Sequence, residues 1–213
     1  MGSGKCIFIS AGEQSGDLHG SSLMHELNNL TALNYNGLGG DLMIQEGLDP
    51  IAHINNLAAT GIAEVIRKYG YFKSVLKKCA EEIYKHKPGA VVLIDYPGFN
   101  IRLAEEIRNN YKGKIIYYIS PQVWAWHQKR VHKIKKHIDK MLVVFPFEVE
   151  FYAKYGVEAE YVGHPLVKRI GDFLKDRVMS NKNNNIKKIT LLPGSRNDEV
   201  KHHLPVLLET VKL

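Results

Sequence analysis

The sequence predicts an α/β protein, a doubly wound parallel sheet, with a second domain only begun by its last residues. Three observations predict it. Short apolar segments alternate with helix-like ones along most of the chain. Val91–Asp95 is a continuous apolar run closed by an aspartate, the pattern of a parallel strand covered on both faces. Glycine-bearing turns follow the strand-like segments at Gly12, Gly39-Gly40 and Gly163.

Taken in order, Lys5–Ser10 reads as a strand, followed by a glycine-bearing turn and a helix from Asp17 to Asn29. Asn34–Leu38 is a brief strand before Gly39-Gly40 and a short helix ending near Gly47. Ile62, Val65, Ile66, Tyr69 and Phe72 recur at helical spacing, with Gly70 expected to interrupt the helix. Asn100–Asn110 reads as helix, Lys114–Ile119 as strand, Ala125–His137 as helix and Lys140–Phe145 as strand. Pro146 suits a first helical position, and Gly156 stops that helix. Glu160–Val162 is a short strand before Gly163-His164-Pro165. The rhythm is Rossmann-like, with right-handed crossovers. It places a first domain at residues 5–174 and a polar, asparagine-rich linker at 175–186. Residues 187–213 read as one further βα unit: a strand Lys188–Leu192, a turn Pro193-Gly194-Ser195-Arg196 and a helix Asp198–Lys212.

A chain of 213 residues, 45% hydrophobic and 24% charged, is an ordinary globular composition. Its net charge of +7 favours anionic partners: phosphorylated substrates, lipid headgroups or nucleic acid. Cys6 and Cys79 form no metal spacing and read as reduced packing residues. No apolar run is long enough to span a bilayer, and no signal-peptide pattern opens the chain.

In open α/β sheets, ligands bind beyond the carboxyl ends of the strands. The loop Ala11-Gly12-Glu13-Gln14-Ser15-Gly16-Asp17 lacks the dinucleotide spacing, and its acids would repel a pyrophosphate. It suits sugar hydroxyls better, although Asp17 alone reads as a helix cap. Asp95 ends a buried strand, where desolvation raises basicity; it reads equally as a general base or as a turn aspartate. Both tryptophans fall in Ser120-Pro-Gln-Val-Trp-Ala-Trp-His127, just before the cations Lys129, Arg130, Lys133, Lys135 and Lys136. Each ring alone could cap a core; the pair with Gln122 and these cations suits a phosphorylated sugar. Gly163-His164-Pro165 reads as a plain turn. Pro193–Arg196 offers backbone N–H groups, a hydroxyl and a guanidinium to a diphosphate. Val65, Ile66, Tyr69 and Phe72, with Lys68, Lys73, Lys77 and Lys78 among and beyond them, fit an interfacial helix or a helix packed on the core.

Together, AGEQSGDLHGSSL, GLGGDLM, GIAEVI, IDYPGFN, YYISPQVWAWHQKRV, PFEVEFYAKYGV, YVGHPL and LLPGSRNDEV resemble the lipid-A-disaccharide synthases, bacterial glycosyltransferases of GT-B architecture. The segments occur in order and span nearly all of residues 5–200. Gly98 departs from the family's Asp-x-Pro-Asp-Phe-Asn pattern, which carries an acid there. The resemblance implies transfer of the sugar of UDP-2,3-diacylglucosamine to 2,3-diacylglucosamine 1-phosphate with release of UDP, and no metal or redox cofactor. It assigns catalysis to Asp95 and Arg196. It assigns substrate binding to Gly12, Glu13, Ser15, Gly16, Asp17, Asn100, Gln122, Trp126 and Ser195. Both substrates carry acyl chains, so Val65, Ile66, Tyr69 and Phe72 are expected to contact an anionic membrane surface. The expected place is the cytoplasmic face of the inner membrane of a Gram-negative bacterium, as a peripheral protein; a homo-oligomer is compatible with this.

Two other classes compete. A Rossmann oxidoreductase is disfavoured by the missing dinucleotide fingerprint. A basic, non-enzymatic anion-binding module would bind arbitrary DNA with steep salt dependence; no nucleic-acid partner is expected. A third alternative, within the resemblance, is a catalytically incomplete acceptor- and lipid-binding half.

Overall fold

The computed structural model describes residues 5–57, 62–176, 189–194 and 197–212. The chain divides into two compact units, Met1–Arg169 and Ile170–Leu213. This division falls inside a helix, a few residues before the expected end of the first domain at residue 174.

The first unit is built on seven parallel strands: β1 (Lys5–Ala11), β2 (Leu33–Gly39), β3 (Leu48–His53), β4 (Ala90–Ile94), β5 (Lys114–Tyr118), β6 (Lys140–Val143) and β7 (Ala159–Tyr161). Their order across the sheet is β3-β2-β1-β4-β5-β6-β7. The order reverses between β1 and β4, so the crevice beyond their carboxyl ends is the topological switch point of a Rossmann-like sheet. The helices are α1 (Gln14–Leu30), α2 (Asp41–Gln45), α3 (Ile54–Leu57), α4 (Ile62–His86), α5 (Pro97–Ile107), α6 (Arg130–His137), α7 (Pro146–Ala153) and α8 (Pro165–Asp176).

Alternate strand residues face opposite sides. Phe8, Leu38, Val91, Leu93, Ile115, Tyr117 and Met141 face the larger core, closed by Val75, Cys79 and Ile83 of α4, Leu103 and Ile107 of α5, Ile134 of α6 and Tyr152 of α7. Ile9, Tyr35, Val92 and Ile94 face the smaller one, closed by Met24 of α1 and Met43 of α2.

Four local expectations are corrected. The strand β3 went unread because Asp49 and Pro50 break its apolar pattern; Pro50 is tolerated because β3 is an edge strand. Gly70 does not interrupt α4, which runs unbroken through it for 25 residues. A side chain at Gly70 would meet nothing within 4 Å, so the glycine costs only about 1 kcal/mol of helix propensity. Residues 125–129 are turns, and α6 begins only at Arg130. In the second unit, residues 189–194 carry no regular structure. Ile189 and Leu192 are exposed, and among the described residues no ladder partner pairs with this segment. The helix after them, α9 (Asn197–Val211), is present. The expected linker lies largely outside the described residues.

Asp17 ties α1 to its neighbours. Its carboxylate accepts the backbone N–H of Gly40 at 2.8 Å, Met43 at 3.1 Å and Leu42 at 3.2 Å. It thereby caps α2 rather than its own helix. A side chain at Gly40 would stand 2.5 Å from that carboxylate, which is why a glycine sits there. Asp17→Ala leaves three inward-facing donors without their acceptor. It is expected to lower unfolding free energy by about 3 kcal/mol in urea titration, with an unchanged denaturant slope.

Candidate active site

The carboxyl edge of β1 and β4 is organised by a buried amide. Asn100, on the first turn of α5, is fully buried, as is Ser10 on β1. Ser10 Oγ donates to Asn100 Oδ1 at 2.7 Å. Asn100 Nδ2 donates to the carbonyls of Asp95 at 2.8 Å, Ile94 at 3.1 Å and Ser10 at 3.4 Å. The Asp95 carbonyl also accepts the Tyr117 hydroxyl at 2.6 Å, and the Asp95 N–H donates to Tyr118 O at 3.2 Å. These bonds hold Asp95 and Tyr96 in consecutive left-handed conformations, φ 42° and 49°. Tyr96 then lies over Gly12, where a Cβ would fall 2.0 Å from the ring. Gly12 therefore admits a protein ring, and Gly16 packs α1 against Ala11, with 3.1 Å left for a Cβ.

The Asp95 carboxyl is half-buried, and its pKa is pushed up to about 6. Desolvation is the main cause and the nearby Glu13 carboxylate adds to it, opposed by the Tyr96 N–H donated to Asp95. Glu13 and Ser15 are exposed at the start of α1. Gly98 is exposed and a side chain there would meet nothing within 4 Å, so the family's acid would fit this backbone.

The next strand end carries the tryptophans. Ile119 is left-handed at φ 61°, and Ser120 turns inward, 4% exposed. Gln122 is exposed and Trp126 is 59% exposed. Trp126 packs beside His127, with ring centroids 4.8 Å apart, and the Arg130 guanidinium lies 5.7 Å from its centroid. Trp124 instead meets Phe147 edge-on at 5.1 Å. The two rings thus divide the two roles the sequence allowed, one packed and one presented.

The expected site residues therefore separate. Glu13, Ser15, Asp95, Gln122 and Trp126 stand at the carboxyl edge, Ser15 in the first turn of α1 and the others beside or on the loops that follow β1, β4 and β5. Asp17 and Asn100 come to the same edge, but their polar atoms are engaged by the protein. Ser195 and Arg196 lie outside the described residues, as do the side chains of Val65 and Ile66. Tyr69 is 60% exposed, whereas Phe72 is half-buried against the larger core. Sequence reasoning passed over Tyr96, Tyr117 and Glu148, which shape the site from beneath. Only Glu148 had a legible signal, its place three residues after the N-cap position of α7. Among the described residues, no three His, Cys, Asp or Glu side chains converge as metal ligands. A depression of about 710 Å3 lined by Cys6, Asn34, Asn36, Asp49 and Lys78 lies towards the amino ends of β1 and β2, away from Asp95.

Because the native state holds the Asp95 proton up to about pH 6 and the unfolded chain only to 3.8, folding stability is favoured at low pH and declines as pH rises through 6. The loss is at most about 3 kcal/mol, and less because the group is only half-buried. Asp95→Asn is expected to raise the urea midpoint at pH 8 and to change it little at pH 4. Carboxyl NMR titration of Glu13→Gln should find the Asp95 midpoint below that of the unsubstituted protein.

The family model described as lipid-A-disaccharide synthetase matches residues 7–213. The chain is 41% identical over 211 residues to lipid-A-disaccharide synthase 1 of Legionella pneumophila (strain Lens), covering 97% of this chain and 55% of that protein. It is 39% identical over 213 residues to lipid-A-disaccharide synthase of Geobacter metallireducens, covering 98% and 55%. The corresponding protein of Trichlorobacter lovleyi is 36% identical over 217 residues, covering 100% and 56%. The chain spans about half the length of these relatives. With its Rossmann-like sheet and its match along nearly every residue, it belongs to the lipid-A-disaccharide synthase family.

Proposed function

We propose that this protein serves a glycosyltransferase reaction joining UDP-2,3-diacylglucosamine to 2,3-diacylglucosamine 1-phosphate, and that the first unit holds the acceptor. The observation that carries the reading is the Asp95 carboxyl at the switch point, fixed by its backbone and tuned to a pKa of about 6. A base of that strength is mostly ionised at neutral pH and still accepts a proton readily.

In the proposed step, the acceptor's primary hydroxyl attacks the anomeric carbon of the donor while its proton passes to Asp95. The bond from that carbon to the diphosphate oxygen breaks, and UDP leaves with the electron pair. Glu13, Ser15, Gln122 and Trp126 would bind the acceptor sugar, with Trp126 as an apolar wall and Arg130 beside it for phosphate. Asp17 and Asn100 would support this pocket through the loops they hold. Arg196, with Ser195 and the first N–H groups of α9, would neutralise charge on the leaving diphosphate. The proposal requires no metal or redox cofactor.

A second reading is supported by the coverage of about half of each relative: the chain binds acceptor and lipid but completes the reaction only with the remaining portion. Mass spectrometry of UDP and disaccharide phosphate, with both substrates in detergent, separates the two. Asp95→Ala is expected to cut turnover by about 10²–10⁴-fold. Undiminished turnover in that variant would sink the assignment. Turnover that needs the remaining portion, while this chain alone binds acceptor, would establish the second reading.

The amino-terminal half of α4 is proposed to dock on an anionic membrane. Tyr69 and Tyr71 are exposed, and Lys73, Lys77 and Lys78 stand exposed beyond them. Among the described residues, no helix is long and apolar enough to cross a membrane. Phe72 is left intact in the test because its ring packs on the core. Val65→Ser with Tyr69→Ser is expected to lower co-sedimentation with phosphatidylglycerol-containing vesicles severalfold; equal sedimentation would remove the idea.

A further inference from the structure

Glu148 is a carboxylate with 1% exposure, placed beneath the carboxyl edge with no part in the proposed chemistry. Its oxygens are saturated by donors from two different strand ends. Oε1 accepts the Ser120 hydroxyl at 2.7 Å, at the mouth of the tryptophan loop beyond β5. Oε2 accepts the N–H of Phe145 at 3.0 Å and of Val144 at 3.3 Å, directly beyond β6. The Tyr152 hydroxyl lies 3.2 Å from Ser120 Oγ and completes the buried cluster. From the two anchored loops a line of rings runs across the edge. Phe145 stacks near Phe147 at 5.7 Å, Phe147 meets Trp124 at 5.1 Å, and Phe145 faces His164 at 5.5 Å.

The geometry points to Glu148 as a positioning residue that, through Ser120 and the Phe145 backbone, sets the seat of the Trp124–Trp126 segment and hence the fit of an acylated glucosamine phosphate against it. This rests on the acceptor reading of the first unit for its ligand, but not for its structural content. Glu148 gives the Val144 and Phe145 N–H groups the acceptor they would otherwise lack, and it ties them to the Ser120 hydroxyl. Replacing Ser120 contact alone would free the loop mouth, which is already strained by the left-handed Ile119. What the cluster needs is hydrogen-bond geometry, not charge. In Glu148→Gln, the amide oxygen can take the two backbone N–H groups while the amide nitrogen donates to Ser120 Oγ. Ser120 then turns its own proton to the Pro121 carbonyl, already 3.3 Å away, or to Tyr152.

The test uses the fact that the chain's two tryptophans are both in this segment, so native-state emission reports the wall alone. In Glu148→Leu, tryptophan emission is expected to shift red and acrylamide quenching to rise. Binding of 2,3-diacylglucosamine 1-phosphate in nonionic micelles should weaken about tenfold or more, since two backbone donors lose their acceptor and Ser120 loses its tie to them. Glu148→Gln should restore both readouts. A folded Glu148→Leu with unchanged quenching overturns the inference, and so does a Glu148→Gln as impaired as Glu148→Leu. A merely structural loss would lower Tm without moving the native tryptophan signal. If Glu148→Leu does not fold, Ser120→Ala decides: the same red shift, smaller, supports the role, and none overturns it. Failure of the unsubstituted protein to bind the probe counts against the acceptor reading, while the tryptophan signals still decide the role of Glu148.

Discussion

The site depends on one buried side chain, the Asn100 carboxamide. It sits where the strand order reverses between the paired strands β1 and β4, and it bonds to the ends of both. Its oxygen is held by Ser10 of β1, and its nitrogen serves three carbonyls across β1 and the end of β4. Two consecutive non-glycine residues in the left-handed region cost about 1–3 kcal/mol each. Such a bend persists only if its surroundings over-determine it, and here the amide and the Tyr117 hydroxyl do so together. The consequence is directional: with the Asp95 carbonyl drawn inward, its carboxyl is left at the edge, and Tyr96 is turned over Gly12.

Two carboxylates near this edge meet opposite fates because of what donates to them. Glu148 accepts from a hydroxyl and two backbone N–H groups and is closed off from solvent. Asp95 receives one backbone N–H on its carboxylate, from Tyr96, and faces Glu13. Donors stabilise an ionised carboxylate, while desolvation and a like charge destabilise it. The first arrangement makes a structural tie between two strand ends. The second makes a group that readily takes up a proton, which is what a base at the reacting hydroxyl must do.

How much of this was legible in the sequence follows from which contacts are local. The strand ends, the turns that follow them and the placing of Asp95 and both tryptophans at the carboxyl edge all read directly, because a run of apolar residues closed by polar or glycine residues is a local signal. Asn100 was picked out as a site residue, but its neighbours Ser10 and Asp95 lie 90 and 5 residues away, and only the fold reveals that it serves the backbone. Asp17 is similar: read by itself as a cap for the helix it opens, it has partners 23 to 26 residues on and caps a different helix. The edge strand β3 was hidden by Pro50, and α4 was cut short on paper by a glycine that a long packed helix absorbs.

Backbone strain ties these parts together. Among the described residues, the non-glycine positions with positive φ are Lys87, Asp95, Tyr96, Ile119 and His127. Lys87 lies in the connection from α4 to β4. The other four fall in the two loops that follow β4 and β5, the same loops that carry the acid and the tryptophans. Strain of this kind is selected against unless it holds something in place. At the first loop the holder is Asn100, and at the mouth of the second it is Glu148 acting on Ser120, beside Ile119. Each loop is thus bent against preference and clamped by a buried side chain from the helix that follows, or follows next. That arrangement presents Asp95 and Trp126 from adjacent strands on loops each clamped from beneath, which is the placing that the proposed base and the proposed binding wall would need to act on one sugar.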